Sequence, residues 1–206
     1  SYKPYLIKLL KNAFSVHVTN NELANVCKQY NENIVIRPNR TFPQSWSMDF
    51  PKEEKISLKL PNKSINILYF GSRTHQEDLE FLLEVLEQAN KAGERYHLSI
   101  VGCGDIKEKH KDFVTRLTPP SSRYDIFVDW LTQISHNFDI GVAPLVDEKF
   151  AKTKSYLKCL EFAQLNLPVI CSDVMPYIEL KSLDQCKDIV FVPHNIESWV
   201  GALKEK

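Results

Sequence analysis

With 206 residues the chain is long enough for one full hydrophobic core, or for one domain plus part of another. Lysine plus arginine balance aspartate plus glutamate at 26 each, which argues against general attraction to nucleic acid or to an anionic membrane. No apolar run approaches the ~20 residues that span a bilayer, and the five cysteines are odd in number and form no CxxC pair, so neither a membrane segment nor a structural zinc site is expected. Nothing at the start reads as a secretory signal, and the expected location is cytoplasmic, free or peripheral at the inner face of a membrane.

In chain order, Phe14–Val18 reads as a short strand, followed by Thr19-Asn20-Asn21-Glu22. That tetrapeptide is a capping-box pattern with Thr19 as N-cap, opening a helix of about a dozen residues toward Tyr30. Ile34–Ile36 is a second short strand, stopped by Pro38. Residues 42–63 carry Pro43, Pro51 and Pro61 with little periodicity and read as a connecting segment. From Ser64 onward short apolar runs alternate with helical stretches: Ile65–Phe70, Tyr96–Val101, Asp125–Val128, Phe138–Val142, Pro168–Cys171 and Ile189–Val192 are the strand candidates. Gln76–Ala92, Ser155–Leu165 and Glu197–Leu203 are the helices between and after them. The division expected is therefore 1–63, the end of one domain plus a linker, and 64–206, an α/β domain with a doubly wound, Rossmann-like parallel sheet.

In such a sheet ligands bind at the carboxyl ends of the strands, near the point where strand order reverses. The residues that follow each strand candidate are then the informative ones: Gly71-Ser72-Arg73, Gly102-Cys103-Gly104-Asp105, and Asp129-Trp130 after Val128. Gly71, Gly102 and Gly104 allow backbone to approach a phosphate, and they serve equally well as tight strand-to-helix turns. No complete GxGxxG and no GxxxxGK[ST] is present, which argues against a dehydrogenase or a P-loop NTPase. The densest cluster is Lys154-Ser155-Tyr156-Leu157-Lys158-Cys159-Leu160-Glu161. Lys154, Lys158 and Glu161 fall at i, i+4 and i+7, one helical face able to meet phosphates with ammonium groups and ribose hydroxyls with a carboxylate. A solvated charged face has the same spacing.

Three stretches taken together, Phe138–Leu145, Lys154–Ala163 and Leu167–Asp173, resemble the corresponding run of group 1, family 4-like glycosyltransferases. Upstream, Gly71-Ser72-Arg73-Thr74-His75 with Asp78, and Ile100-Val101-Gly102-Cys103-Gly104-Asp105, are similar to that family's first two strand ends. Val16–Leu23 and Ile36–Asn39 resemble the passage that closes its first domain. The resemblance implies the C-terminal, donor-binding half of a GT-B fold with a short remnant of the N-terminal, acceptor-side domain. It implies a nucleotide-diphosphate sugar as substrate, a glycan or glycoconjugate acceptor met through the other domain, retention at the anomeric carbon, and neither a metal nor another cofactor. By the same resemblance Glu161 matches the second glutamate of E-x7-E, on the donor ribose. Gly71, Ser72 and Arg73 match the diphosphate turn, Lys158 and Lys154 lie near the phosphates beside Ser155, and Val128, Asp129 and Trp130 frame the base. Arg73, Lys158 and Glu161 are the expected catalytic residues, with Gly102 and Gly104 in the donor-binding set.

Two departures bear on activity: Thr153 stands at the first position of E-x7-E, and Gln76-Glu77 stand where a basic residue is usual. Asp147 or Glu148 can take over a sugar contact. These departures leave open an alternative, a non-catalytic glycosyltransferase-like module that binds a nucleotide or a partner; a sugar-nucleotide epimerase of the same architecture is a third reading. His75 can bond a phosphate or stand solvated on its loop, His194 is expected to cap the following turn, and Trp199 is expected in the core.

Overall fold

The computed structural model describes residues 2–41, 46, 54–182 and 188–205. Pro43, Pro51 and Cys186 lie outside the described residues. Helix α1 (Lys3–Asn12) buries no side chain. Strands β1 (Val16–Val18) and β2 (Ile34–Ile36) form a two-stranded parallel sheet, and α2 (Asn21–Cys27) lies between them in sequence. Val16, Val18, Ala24 and Cys27 make the small core of this part.

Helix α2 is shorter than expected and starts one residue later. Its cap is Asn20, whose Oδ1 accepts from the Leu23 amide at 2.8 Å, rather than Thr19. The reason is tertiary: the Asn20 amide nitrogen donates to the Lys152 carbonyl at 3.1 Å and to the Lys154 carbonyl at 2.5 Å, and a threonine hydroxyl, with one hydrogen, cannot donate to two carbonyls.

The larger sheet holds six parallel strands: β3 (Ile65–Gly71), β4 (Tyr96–Gly102), β5 (Val114–Leu117), β6 (Ile140–Ala143), β7 (Val169–Ser172) and β8 (Ile189–Val192). Their order is β5-β4-β3-β6-β7-β8, so strand order reverses between β3 and β6. Side chains alternate across the sheet as the pleat requires. Ile67 and Tyr69 point into a core shared with α3 (Gln76–Lys91) and α7 (Ile196–Lys204). Leu68 and Phe70 point into the opposite core with α4 (Tyr124–Ile134) and α6 (Leu157–Gln164). A short α5 (Lys149–Lys152) precedes α6. Leu79, Leu82 and Leu86 of α3 are fully covered, and truncating one of them to alanine typically costs about 2–5 kcal/mol. Trp199 lies in this core, completely buried.

The third strand candidate was misplaced. Asp125–Val128 belongs to α4, where Val128, Leu131, Thr132 and Ile134 are buried at helical spacing. The β-branched and aromatic residues at its start imitate a strand over four positions, and the helical period shows only over eleven. The true edge strand β5 buries one residue of four, Val114, and so carries almost no apolar signal. Asn195, not His194, caps α7 by accepting from the Ser198 amide at 2.9 Å.

Candidate functional site

Gly71 ends β3, and the chain turns through Ser72 into a single 3-10 turn, Arg73–His75, before α3 begins. Across the strand-order reversal the turn 153–156 enters α6. Between these two lies a cleft of about 390 Å³ lined by Gly71, Thr74, His75, Phe150, Lys154, Ser155, Lys158, Glu161 and Tyr177. The structure thus brings together five of the expected residues, Gly71, Lys154, Ser155, Lys158 and Glu161.

Lys154 precedes α6 and is not on its face, so the i, i+4, i+7 arrangement holds only for Lys158 and Glu161. Both of these are nine-tenths buried, which a solvated charged face would not be. The Lys158 Nζ lies 4.6 Å from the Tyr69 ring centroid and has no hydrogen-bond partner among the described residues. Burial accordingly lowers its pKa. Glu161 accepts from the Tyr124 hydroxyl at 3.0 Å, and burial raises its pKa against the opposing effects of that bond and of Lys158. Among the described residues no ion pair joins Lys158 to Glu161. A carboxylate and an ammonium in one cleft, each short of partners, is an arrangement suited to a ligand with both hydroxyls and negative charge.

Beside them stands a second network. His75 Nδ1 lies 2.6 Å from Asp78 Oδ2, and the other oxygen of Asp78 accepts from the Val146 amide at 2.9 Å. Burial raises the Asp78 pKa, but the His75 bond, the Val146 amide and Lys154 (Nζ at 3.8 Å) more than offset it, so the group is an anion with a lowered pKa. For His75, the bond to Asp78 favours the charged ring, yet burial and the ammonium groups of Lys158 and Lys154 prevail and its pKa is lowered. Ser155 Oγ is 2.8 Å from the Asn39 amide nitrogen, so the turn carrying Lys154 and Ser155 is held by Asn20 and Asn39 of the N-terminal segment.

Four expected residues lie elsewhere. Arg73 and Gly104 line a neighbouring hollow of about 550 Å³ with Gln76, Cys103, Asp105 and Arg116. There the carbonyls of Gly102 and Gly104 accept from the Arg116 guanidinium. Gly102 has φ +70°, and a Cβ on it would strike the Gly71 carbonyl; the adjoining Cys103 amide donates to that same carbonyl at 2.7 Å. A Cβ on Gly104 would collide with Gln76. Gly102 is thus accounted for by backbone geometry, while the contact at Gly104 is with the movable end of a side chain. Ser72 is exposed, with its hydroxyl 2.8 Å from that of Thr74.

The remaining three, Val128, Asp129 and Trp130, do not frame a cleft at a strand end, because they are helical. Val128 is wholly buried in the core, while Asp129 and Trp130 face a separate hollow on the outside of α4 with Ile56 and Gln133. Asp147 is paired with Lys152 at 3.0 Å. His194 Nδ1 is hydrogen-bonded to the Ser172 hydroxyl at 2.8 Å, and that hydroxyl accepts from the Leu145 amide. Asp139 bonds the Asn66 amide at 2.8 Å, a structural role.

Tyr124, Asp78 and Arg116 were not singled out as site residues from the sequence. Asp78 had a readable signal: it lies four and eight positions before Leu82 and Leu86, an acid in register with the apolar stripe of α3. Tyr124 had none, since its partner is 37 positions away. Among the described residues no group of three or more His, Cys, Asp or Glu is placed to hold a metal ion, and no helix is long and apolar enough to cross a membrane.

The profile of a family described as "Glycosyl transferases group 1" matches residues 64–205, more than half of the chain. The chain belongs to the group 1 glycosyltransferases. Solved structures agree at the level of fold. Sucrose-phosphate synthase from Thermosynechococcus elongatus superposes with a TM-score of 0.64 at 16% identity, covering 97% of this chain and 50% of that one. WaaG, a glycosyltransferase involved in lipopolysaccharide biosynthesis, gives 0.59 at 18%, covering 92% and 52%. The pneumococcal O-GlcNAc transferase GtfA, solved in complex with UDP and GlcNAc, gives 0.58 at 15%, covering 98% and 40%. This group 1 chain therefore spans about half or less of the length of each of these structures. No curated protein matches by sequence.

Proposed function

We propose that this chain is the nucleotide-sugar-binding half of a retaining, metal-independent glycosyltransferase that transfers a hexose to a glycan or glycoconjugate acceptor. The observation that carries the reading is the buried Lys158 ammonium, which has no hydrogen-bond partner among the described residues and lies in a cleft at the strand-order reversal that also holds Lys154, Glu161 and the Gly71 turn. Leaving a cation so placed is costly for the free protein and becomes favourable when an anion enters. In this reading Glu161, held by Tyr124, accepts from ribose hydroxyls. Lys158 and Lys154 face the diphosphate, and Arg73 reaches it from the neighbouring hollow. As the bond from sugar to phosphate breaks, negative charge grows on the leaving diphosphate, and these cations stabilise it more than they stabilise the intact donor.

Residues 1–63 are read as the end of the acceptor-side domain plus the linker, and the acceptor would be met through the remainder of that domain. No further cofactor is invoked, and the expected location is cytoplasmic or peripheral at the inner face of a membrane. A non-catalytic binding module has one observation in its favour: Thr153, at the first position of E-x7-E, has its hydroxyl engaged by the Phe150 carbonyl at 2.7 Å and offers no carboxylate.

Calorimetric titration with UDP, GDP, dTDP and their hexose conjugates tests the reading. One nucleotide should bind with micromolar to millimolar affinity, and Glu161→Ala should weaken it at least tenfold, about 1.4 kcal/mol. Absence of binding to the well-folded chain, or binding indifferent to Glu161, would overturn it.

A further inference from the structure

We propose that His75 is a proton-taking ligand of the donor's diphosphate, engaging it as the imidazolium and drawing its second proton from solvent as the nucleotide binds. The proposal rests on the reading of the cleft as a nucleotide-diphosphate site and adds to it a residue, a protonation state and a pH dependence.

The ring is held in place from behind. Asp78 is 1% exposed, so its carboxylate has no water to fall back on, and one oxygen is anchored by the Val146 amide. The 2.6 Å contact to Asp78 Oδ2 assigns the hydrogen on His75 to Nδ1. Lys154 Nζ, 3.4 Å from the same nitrogen, is therefore a close charge and not a second bond. Nε2 is left without a protein partner among the described residues, on the edge of a ring that lines the cleft. That edge borders the diphosphate turn itself: a Cβ placed on Gly71 would lie 3.2 Å from His75 Cδ2, the carbon bonded to Nε2.

With only Nδ1 protonated, Nε2 presents a lone pair, and a lone pair repels a phosphate oxygen. With both nitrogens protonated it presents a donor. The charges facing the ring decide which form is present. Asp78 comes from α3, Lys154 from the turn before α6, and Lys158 and Glu161 from α6; Cys103, from the loop after β4, is kept a neutral thiol by burial, with its pKa pushed up to about 11. In the free protein the Asp78 bond favours the charged ring, but burial together with the two ammonium groups outweighs it and holds the ring's pKa below the ordinary histidine value. A diphosphate neutralises those ammonium groups and adds negative charge beside Nε2, which reverses the balance. The absence of a basic side chain at Gln76-Glu77 gives this its use, since a proton on His75 supplies a cation at the turn only while the ligand is there.

The sign follows from linkage. The ligand favours protonated His75, so the ring's midpoint is higher in the complex than in the free chain. Between the two midpoints roughly one proton is taken up per nucleotide, and the His75 contribution to affinity falls as pH rises through the midpoint of the complex.

Nuclear magnetic resonance tests this at the atom concerned. The ring signals of His75, assigned through backbone connectivities, are followed across pH in the 206-residue chain, free and saturated with UDP, GDP, ADP or dTDP, whichever shifts the Lys158 and Glu161 amides. The expected result is an Nδ1–H tautomer titrating below an ordinary histidine in the free chain, and an upward move of the midpoint in the complex. His75→Gln should bind the same nucleotide about tenfold more weakly at acid pH, and the difference from wild type should shrink at alkaline pH. If a nucleotide shifts the cleft amides while the His75 midpoint stays or falls, this proposal is wrong and the nucleotide site stands. If none of the four nucleotides shifts any cleft amide, both readings fall together.

Discussion

Two hollows meet at the carboxyl edge of the six-stranded sheet, one on each side of the Gly71 turn, and their polar groups are in opposite states. On the β4–β5 side, apart from the exposed Arg73 at its rim, the groups bond each other: Arg116 closes on the carbonyls of Gly102 and Gly104, and Gln76 accepts from the Asp105 amide at 3.0 Å while donating to Glu80 at 2.8 Å. On the β6–α6 side the Lys158 ammonium and the outer nitrogen of His75 have no hydrogen-bond partner among the described residues, and Glu161 has one such donor, Tyr124, for two oxygens. Both hollows carry glycine and cationic side chains, so residue type does not separate them. Hydrogen-bond saturation does: a saturated cluster holds the fold together, and an unsaturated buried one is held ready for something else.

The sharpest test is Gly102→Ala, on the saturated side. Its left-handed backbone and the collision with the Gly71 carbonyl should cost on the order of 3 kcal/mol or more, read as a lower midpoint in chemical denaturation. Next is Lys158→Met, on the unsaturated side. Affinity for a nucleoside diphosphate should fall about a hundredfold, about 2.7 kcal/mol, while stability holds or rises by about 1 kcal/mol because an unpaired buried charge is gone. Equal losses of stability and binding would mean that the fold needs this ammonium, and the contrast between the hollows would fail.

Tyr124→Phe removes the donor to a buried carboxylate and should cost about 1 kcal/mol in stability with a few-fold loss of nucleotide affinity. The smallest effect expected is from Arg116→Met. Its bonds are exposed, so stability should drop by roughly 1 kcal/mol or less and nucleotide affinity should stay within about threefold of wild type. A tenfold affinity loss here would place the ligand across both hollows.

The central strands were legible because they are buried on both faces and read as continuous apolar runs, as β4, β6 and β7 do; β2 and the edge strand β8, only partly buried, still match their candidate ranges residue for residue because their residues are apolar and β-branched or aromatic. The failures have physical causes. Strand β5 lies at the sheet edge and needs few apolar residues, and α4 begins with Ile126, Phe127 and Val128, which suit a strand until the period lengthens. In the site, Lys158 and Glu161 were legible from helical spacing and family pattern together. The expected base-framing trio was lost with the misplaced strand.

Local pattern by itself determined the alternation of strands and helices, the glycine turns after β3 and β4, and the placing of Lys158 and Glu161 on one face of one helix, since each depends on residues within a few turns of one another. Tertiary structure alone decided which hollow is left wanting a ligand. Arg116 reaches back to Gly102 and Gly104, and Tyr124 to Glu161 across 37 positions. Asn20 fixes the turn before α6 from more than 130 positions away. A side chain's unmet hydrogen bonds are a property of its neighbours in space, and no spacing along the chain records them.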